Sequence, residues 1–369
     1  MNDLVCLDLP CGPGMVERIR RAWDDGDAVF PLDRRLPAPA RAAVLASIRP
    51  TVIHDGTDDA RIDGSPVENG DAVVMATSGT TGAPKGVVLT HDAVIASARA
   101  VSRRLAVGPT DKWLACLPPS HVGGFSVIMR SIVTGTPLIA VDGFSVAAYD
   151  EAAANGATLV SLVATALQRV DASKYRTIVL GGARPPADRP ANTVTTYGMT
   201  ETGSGVVYDG IPLDDVEIRI VDGVVHLRCP MLLRTYRDGT VPIDADGWFR
   251  TGDIGTFDHG VLSVQGREGD LIITGGENVW PEQVEDAIRT HPAVTDVCVA
   301  GVTDPEWGHA VHAWIVTDDA AAISLDRLRD HVKQTLPAHC APRALHVVEK
   351  IPRTNLGKTR RCELVAALS

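Results

Sequence analysis

The chain has 369 residues with 35 Lys and Arg against 46 Asp and Glu, and the formal charge of −11 excludes a nucleic-acid groove or an anionic membrane surface as the main partner. That length exceeds the usual limit for one hydrophobic core, and with 45% hydrophobic residues it predicts two folded units and excludes disorder and collagen-like repeats. Seven scattered cysteines (Cys6, Cys11, Cys116, Cys229, Cys298, Cys340, Cys362) without a Cys-x-x-Cys pair read as reduced buried thiols; with an acidic N-terminus and no apolar run near ~18 residues, they predict a cytoplasmic protein without leader or membrane span.

In chain order, Val73–Ala76, Trp113–Leu117, Pro137–Val141, Ala157–Val163, Thr177–Leu180 and Val194–Thr196 read as short strands. Between them His91–Leu105, with Thr90 as N-cap, and Val146–Asn155 carry helical spacing, so the first two thirds predict parallel βαβ units in an α/β body. From Val216 the strands become denser, and VEIRIVDGVVHLR predicts a hairpin turned at Asp222-Gly223 within a small β-rich lobe. Beyond Gly266–Asp270 the pattern is that of a compact α+β unit. Pro281 sits at a first helical position, Glu282–Arg289 is helical, Val294–Val302 and Ala310–Val316 are strands, Leu325–Leu336 is a helix and Ala344–Val348 a strand. The expected division is a body over 1–265, a hinge over 266–270 and a C-terminal domain over 271–369.

The strongest local motif follows the strand ending at Ala76: Thr77-Ser78-Gly79-Thr80-Thr81-Gly82-Ala-Pro-Lys85-Gly86. Backbone N–H groups, hydroxyls and one lysine can wrap oxyanions, with a surface turn as the competing reading. It is not a Walker A loop, because the spacing differs and Gly86 stands where a hydroxyl would hold magnesium. Glu201, on a loop after a strand, can hold Mg2+ against ATP phosphates, although an isolated loop glutamate is more often simply solvated. Asp253, after Thr251-Gly252, can accept two ribose hydroxyls or serve as an ordinary turn aspartate. Taken alone, Lys358 is a solvated charge and His121 a structural histidine. His309 and His312 fall on opposite faces of a strand and predict no metal site. No cysteine has a general base beside it in sequence, and none is assigned as a nucleophile.

Further motifs follow in order: Leu117-Pro-Pro-Ser-His121-Val-Gly-Gly-Phe125, Leu180-Gly-Gly182-Ala183, Thr196-Tyr197-Gly198-Met199-Thr200-Glu201-Thr202, Gly247-Trp-Phe-Arg-Thr-Gly-Asp253, Gly266-Arg267 leading to Gly275-Gly276-Glu277-Asn278, and Pro352-Arg-Thr-Asn-Leu-Gly-Lys358. Together, over about residues 77–360, they resemble the acyl-adenylating superfamily of acyl-CoA synthetases, peptide-synthetase adenylation domains and luciferases. The resemblance implies that family's fold, a large α/β body with a β-rich lobe and a mobile C-terminal domain, and the substrates ATP, Mg2+, coenzyme A and a small carboxylic acid. It implies phosphate contacts from Thr77, Ser78, Gly79, Thr80, Thr81, Gly82 and Lys85, and Mg2+ at Glu201 and Thr200. Tyr197 would stack on adenine beside Gly182 and Ala183, with Thr196, Gly198 and Met199 completing the AMP site. Asp253 would hold the ribose with Arg267 as a second nucleotide contact. His121 would form a wall between acyl and nucleotide sites. Lys358 would bridge the acyl carboxylate and the α-phosphate, and rotation about Gly269 and Asp270 would then exchange it for Gly275, Gly276 and Glu277 against the pantetheine arm.

Two departures from the family pattern stand out. The phosphate loop begins after only 76 residues, about half the family's usual distance, so part of the N-terminal subdomain is expected to be missing and homodimer contacts carried there are in doubt. Gly269 occupies a hinge position that is an acid or Lys in most relatives. The small size, Ser161-Leu-Val-Ala-Thr165 and Ser204–Gly210 resemble actinobacterial members acting on 2-succinylbenzoate in menaquinone biosynthesis, with Ser204, Thr165 and His121 as candidates for its second carboxylate. A ligase for another small acid, a carrier-loading adenylation module and a nucleotide-binding protein without catalysis stay open at this point.

Overall fold

The runs Leu4–Leu7, Ala28–Pro31, Leu159–Leu162 and Thr177–Leu180 are buried along their whole length, as strands covered on both faces by helices must be. The computed structural model describes residues 2–78, 84–182, 188–319, 323–353 and 359–368. Two units emerge: Met1–Ile218 with Leu227–Phe249, and Arg219–His226 with Arg250–Ser369.

The first unit contains two seven-stranded mixed sheets. In one, Ala28–Pro31, Leu4–Leu7 and Val52–His54 run parallel, and Asp71–Ser78 continues the sheet into an antiparallel hairpin with Pro84–Thr90. In the other, Leu138–Ala140, Trp113–Ala115, Leu159–Leu162, Thr177–Leu180 and Thr193–Met199 run parallel, and Ser204–Tyr208 pairs antiparallel with the last. Helix His91–Arg104 starts where Thr90 Oγ1 accepts the Ala93 N–H at 3.2 Å, and Val146–Ala154 starts on the equivalent cap from Ser145. The expected strands are present: Thr177–Leu180 is as expected, Trp113–Ala115, Leu138–Ala140 and Leu159–Leu162 are shorter, and Asp71–Ser78 and Thr193–Met199 are longer because antiparallel partners extend their ladders. Helix Val122–Thr134 escapes the periodic reading, since Gly123 and Gly124 mask its start.

The Asp222-Gly223 turn is as expected, with both residues at positive φ, +51° and +78°, the geometry that matches strand twist in two-residue hairpins. In the second unit Phe249–Asp258 pairs antiparallel with Val261–Arg267. A five-stranded sheet of Ile272–Thr274, Glu277–Val279, Asp296–Asp304, Gly308–Val316 and Ala344–Val347 packs with helices Pro281–Arg289 and Leu325–Val332 around Val284, Ile288, Val297, Val311 and Leu328. The thiols of Cys6, Cys11, Cys116 and Cys298 are buried, which pushes each up to about 12. Cys229 is half-buried, and Cys362 is exposed, against the expectation for all seven: it lies on the short helix Arg361–Ala366, which buries only Leu364.

Arg361 organises the polar side of this unit. Its Nη2 donates to Glu282 Oε1 at 2.8 Å and Glu285 Oε1 at 2.9 Å, and its Nε donates to the Val299 carbonyl at 3.0 Å. Asp270 lies 3.5 Å from Nη1. Burial raises the carboxyl of Glu282, with the Arg361 charge and a backbone hydrogen bond opposing. The Glu285 side chain is 5% exposed, so Arg361→Ala leaves a nearly buried carboxylate with only its longer, 3.4 Å pair to Arg289. It is expected to cost about 3–5 kcal/mol, read from the urea midpoint of the intact chain. A loss below about 1 kcal/mol would mean that the cluster behaves like a screened surface pair.

Candidate active site

Parallel strands deliver whatever follows them to one edge of a sheet, which is where open α/β sheets bind ligands. Here Trp113–Ala115 leads to His121, Leu159–Leu162 to Thr165, Thr177–Leu180 to Gly182, and Thr193–Met199 to Thr200 and Glu201. The last strand carries its own distortion. Its pairing with Ser204–Tyr208 slips between Tyr197 and Gly198, and a Cβ at Gly198 would lie 2.2 Å from the Ser204 carbonyl oxygen. Only glycine permits that approach, and the bulge re-aims Tyr197 relative to a regular strand. Thr200–Thr202 is then one tight turn, fixed by the fully buried Thr202, whose hydroxyl accepts the Met199 N–H at 3.0 Å and lies 2.7 Å from the Ser204 carbonyl.

Glu201 is held across the unit. The Tyr236 hydroxyl donates to Glu201 Oε1 at 3.0 Å, and Lys85 Nζ lies 5.4 Å from the centre of the Tyr236 ring. Lys85 is fixed opposite Thr77 in the hairpin ladder. The expected contacts at Gly79, Thr80, Thr81, Gly82, Ala183 and Lys358, and the side chain of Ser78, lie outside the described residues.

His121 caps helix Val122–Thr134 and is about a quarter exposed. Its Nε2 stands 3.3 Å from Arg35 Nη2 and 3.8 Å from Asp33 Oδ2. Burial pushes its pKa down to about 4, with Asp33 opposing and Arg35 assisting, so the ring is neutral at pH 7. Ser204 is buried, and its hydroxyl accepts from Arg130 Nη2 at 2.8 Å. Arg130 is 3% exposed, donates also to Ser126 Oγ at 3.0 Å, and rests 5.1 Å from the Trp113 ring centre. Its Nε and Nη1 are buried with no partner among the described residues, and burial lowers its pKa. Thr165 is exposed on the short helix Ala164–Leu167.

In the second unit, Asp253 faces Arg267 across the strand pair, and Arg267 Nε donates to Asp253 Oδ1 at 2.8 Å. Glu268–Asp270 form one turn, with Arg250 forked onto Glu268 at 2.8 Å to both oxygens. The backbone at Gly269 is outside the left-handed region and a Cβ there meets open space, so this conformation does not itself require glycine. Gly275 and Gly276 do have positive φ, +59° and +84°, and form the two-residue turn between Thr274 and Glu277.

Sequence reasoning missed Arg130, Tyr236, Asp33 and Arg35. Arg130 had a signal, a lone cation inside the apolar run Phe125–Val133. Tyr236 and Arg35 had none, since their partners lie 35 and 86 residues away.

Comparison with known proteins gives the family. The AMP-binding enzyme family matches residues 52–227 and its C-terminal domain residues 283–358. The chain belongs to this family of AMP-forming, acyl-adenylating enzymes. A probable 2-succinylbenzoate–CoA ligase of Mycobacterium tuberculosis is 38% identical over 89% of this chain and 94% of that protein. The 2-succinylbenzoate–CoA ligase of Listeria monocytogenes is 34% identical over 79% and 69%. Among solved structures, o-succinylbenzoate CoA synthetase (MenE) from Bacillus subtilis with the acyl-adenylate OSB-AMP superposes with a TM-score of 0.87 at 27% identity, covering 98% of this chain and 88% of that one. The same enzyme is also known with ATP and magnesium, at 27% identity and a TM-score of 0.86 over 98% of this chain and 89% of that one.

Tyr236→Phe removes a hydrogen bond to a charged acceptor, worth about 1.5–3 kcal/mol. The expected result is a roughly tenfold or larger loss in kcat/KM for MgATP in a pyrophosphate-release assay, with the folded far-UV spectrum unchanged. An unaltered kcat/KM would show that Glu201 needs no such anchor.

Proposed function

We infer that this chain is an AMP-forming acid–thiol ligase that joins 2-succinylbenzoate to coenzyme A through an acyl-adenylate, a step of menaquinone biosynthesis. The observation carrying the substrate is Arg130, a buried guanidinium beside Ser204 with two nitrogens that find no partner among the described residues. A diacid has one carboxylate to activate and a second to offer that cation. Burying a charge without an anion is costly, and a substrate carboxylate relieves the cost when it binds. Ser204, tied to Arg130, acts with it, while Thr165 and His121 lie on the same sheet edge.

In the first half-reaction a substrate carboxylate oxygen attacks the α-phosphorus of ATP, the bond to the bridging oxygen breaks and pyrophosphate leaves. Glu201, with Thr200 beside it, would hold Mg2+, which supplies charge neutralisation at the phosphates. One protein carboxylate suits this ion, because Mg2+ keeps several waters and takes phosphate oxygens from the substrate. Lys85 and the loop at Thr77–Gly82 hold phosphates, Tyr197 stacks on adenine beside Gly182 and Ala183, and Asp253 with Arg267 receives the ribose. Lys358 bridges carboxylate and α-phosphate, so catalysis is positioning plus electrostatic stabilisation. In the second half-reaction the coenzyme A sulfur attacks the acyl carbonyl carbon, AMP leaves with the bonding pair and the thiol proton passes to water. Rotation of 271–369 about 266–270 replaces Lys358 by Gly275, Gly276 and Glu277 between the two. The same reading places the enzyme in the cytoplasm, where ATP and coenzyme A are available, and takes a homodimer as the assembly to check by sedimentation.

Arg130→Gln is expected to lower kcat/KM for 2-succinylbenzoate by about 10–100-fold, the range for one lost charge-assisted contact, and to leave 3-benzoylpropionate, which lacks the ring carboxylate, far less affected. Equal losses on both acids, measured by pyrophosphate release, would remove Arg130 from substrate recognition.

The two half-reactions are expected to separate by mutation. Lys358→Ala should slow adenylation by roughly 10²-fold or more and spare thioester formation from supplied acyl-adenylate, whereas Gly276→Leu should do the reverse. Rapid-quench measurement of each step decides it, and equal slowing of both steps by Lys358→Ala would rule out domain alternation.

A further inference from the structure

The turn after strand Ala28–Pro31 reaches into the site from a part of the chain that carries none of the family motifs. Asp33 opens this turn, where the Leu36 N–H donates to the Asp33 carbonyl at 3.2 Å. Arg35 is locked onto the same residue: Nε and Nη2 donate to the two Asp33 carboxylate oxygens at 2.7 Å each, and the Arg35 backbone N–H donates to Oδ1 at 3.0 Å. Against the upward push of burial, these bonds hold the Asp33 carboxyl below the usual carboxylate range. The guanidinium is thus pre-oriented before it meets anything else.

What it meets is His121, with Nη2 3.3 Å from Nε2. A guanidinium has only donors, so in this contact Nε2 must accept. We propose that Arg35 is a positioning residue for the ligase reaction: by donating to Nε2 it holds His121 as the neutral tautomer with its proton on Nδ1, which leaves the ring an N–H donor suited to a substrate carboxylate and unsuited to act as a general base. The proposal rests on the reading of His121 as an acyl-site residue. The charged groups beside the ring are Asp33 and Arg35, both on this turn. Its own helix contributes Arg130, whose guanidinium is turned to Ser126 and Ser204. Protonating His121 would place a second cation against Arg35, and the depressed basicity of the ring agrees with that arrangement.

The test is long-range 1H–15N correlation of histidine-labelled enzyme, with His121 assigned by loss of its signals in His121→Gln. Wild-type enzyme at pH 7 should show His121 protonated on Nδ1 only, with a titration midpoint near 4. In Arg35→Met the neighbouring cation is gone and Asp33 remains, so the midpoint should rise toward the ordinary 6.5. KM for 2-succinylbenzoate should rise about tenfold with a smaller change in kcat, and Arg35→Lys, which keeps a donor and a charge, should recover part of the loss. A proton on Nε2 in the wild-type enzyme, which needs no variant to fold, would overturn the proposal, as would an unmoved midpoint in Arg35→Met. A moved midpoint with unchanged KM would overturn both the positioning role and the place of His121 in the acyl site, while acid-dependent pyrophosphate release by the wild-type enzyme would still support the ligase.

Discussion

The hydrogen bond from the Tyr236 hydroxyl to Glu201 joins the two seven-stranded sheets of the first unit. Glu201 follows a strand of one seven-stranded sheet, and Tyr236 lies on the two-residue edge strand Thr235–Tyr236 of the other, paired with Pro84–Thr90. The same edge brings the ring within reach of Lys85. Each of the three side chains is therefore placed by a backbone ladder or by the turn that ends one, not by a free loop. A carboxylate anchored in this way loses little rotamer entropy when a ligand arrives, which is what pre-organisation means in energetic terms.

Arg130, buried, and Arg361, half-buried, show opposite solutions to one problem. In the second unit Arg361 is surrounded by Glu282, Glu285 and Asp270, so its charge is compensated, and its Nε is satisfied by the Val299 carbonyl. That arrangement resists change, because removing any partner leaves charges uncompensated. In the first unit Arg130 has two hydroxyl acceptors and an aromatic face, but two of its nitrogens find no partner among the described residues. Each unsatisfied buried donor costs about 1–3 kcal/mol. Local rules broken at such a cost are expected at functional or strained sites.

Where the structure describes the candidate site residues, their placement was legible in the sequence because they sit in runs whose local form the chain itself dictates. The Asp222-Gly223 hairpin, the Thr90 cap and the strand before Gly182 follow from short-range chemistry. The motif residues His121, Thr165, Gly182 and Glu201 share an edge because the strands before them are parallel, which the alternation of apolar runs and helices foretold. The rest was set by separations that no local pattern records. Tyr236 finds Glu201 and Arg35 finds His121 only once two sheets and an N-terminal turn are in place.

The turn at Gly275-Gly276 separates structural from functional demand within one motif. Both residues lie at positive φ in a two-residue hairpin turn, so the turn favours glycine or asparagine there whether or not coenzyme A ever approaches. At Gly275 packing adds a reason, since a Cβ would come within 2.8 Å of the Trp307 ring. At Gly276 a Cβ would meet nothing within 4 Å. Neither the turn nor the packing of this unit distinguishes glycine from asparagine at position 276, so what Gly276 alone adds is the absence of a side chain toward open space, the property that a closely approaching pantetheine arm requires.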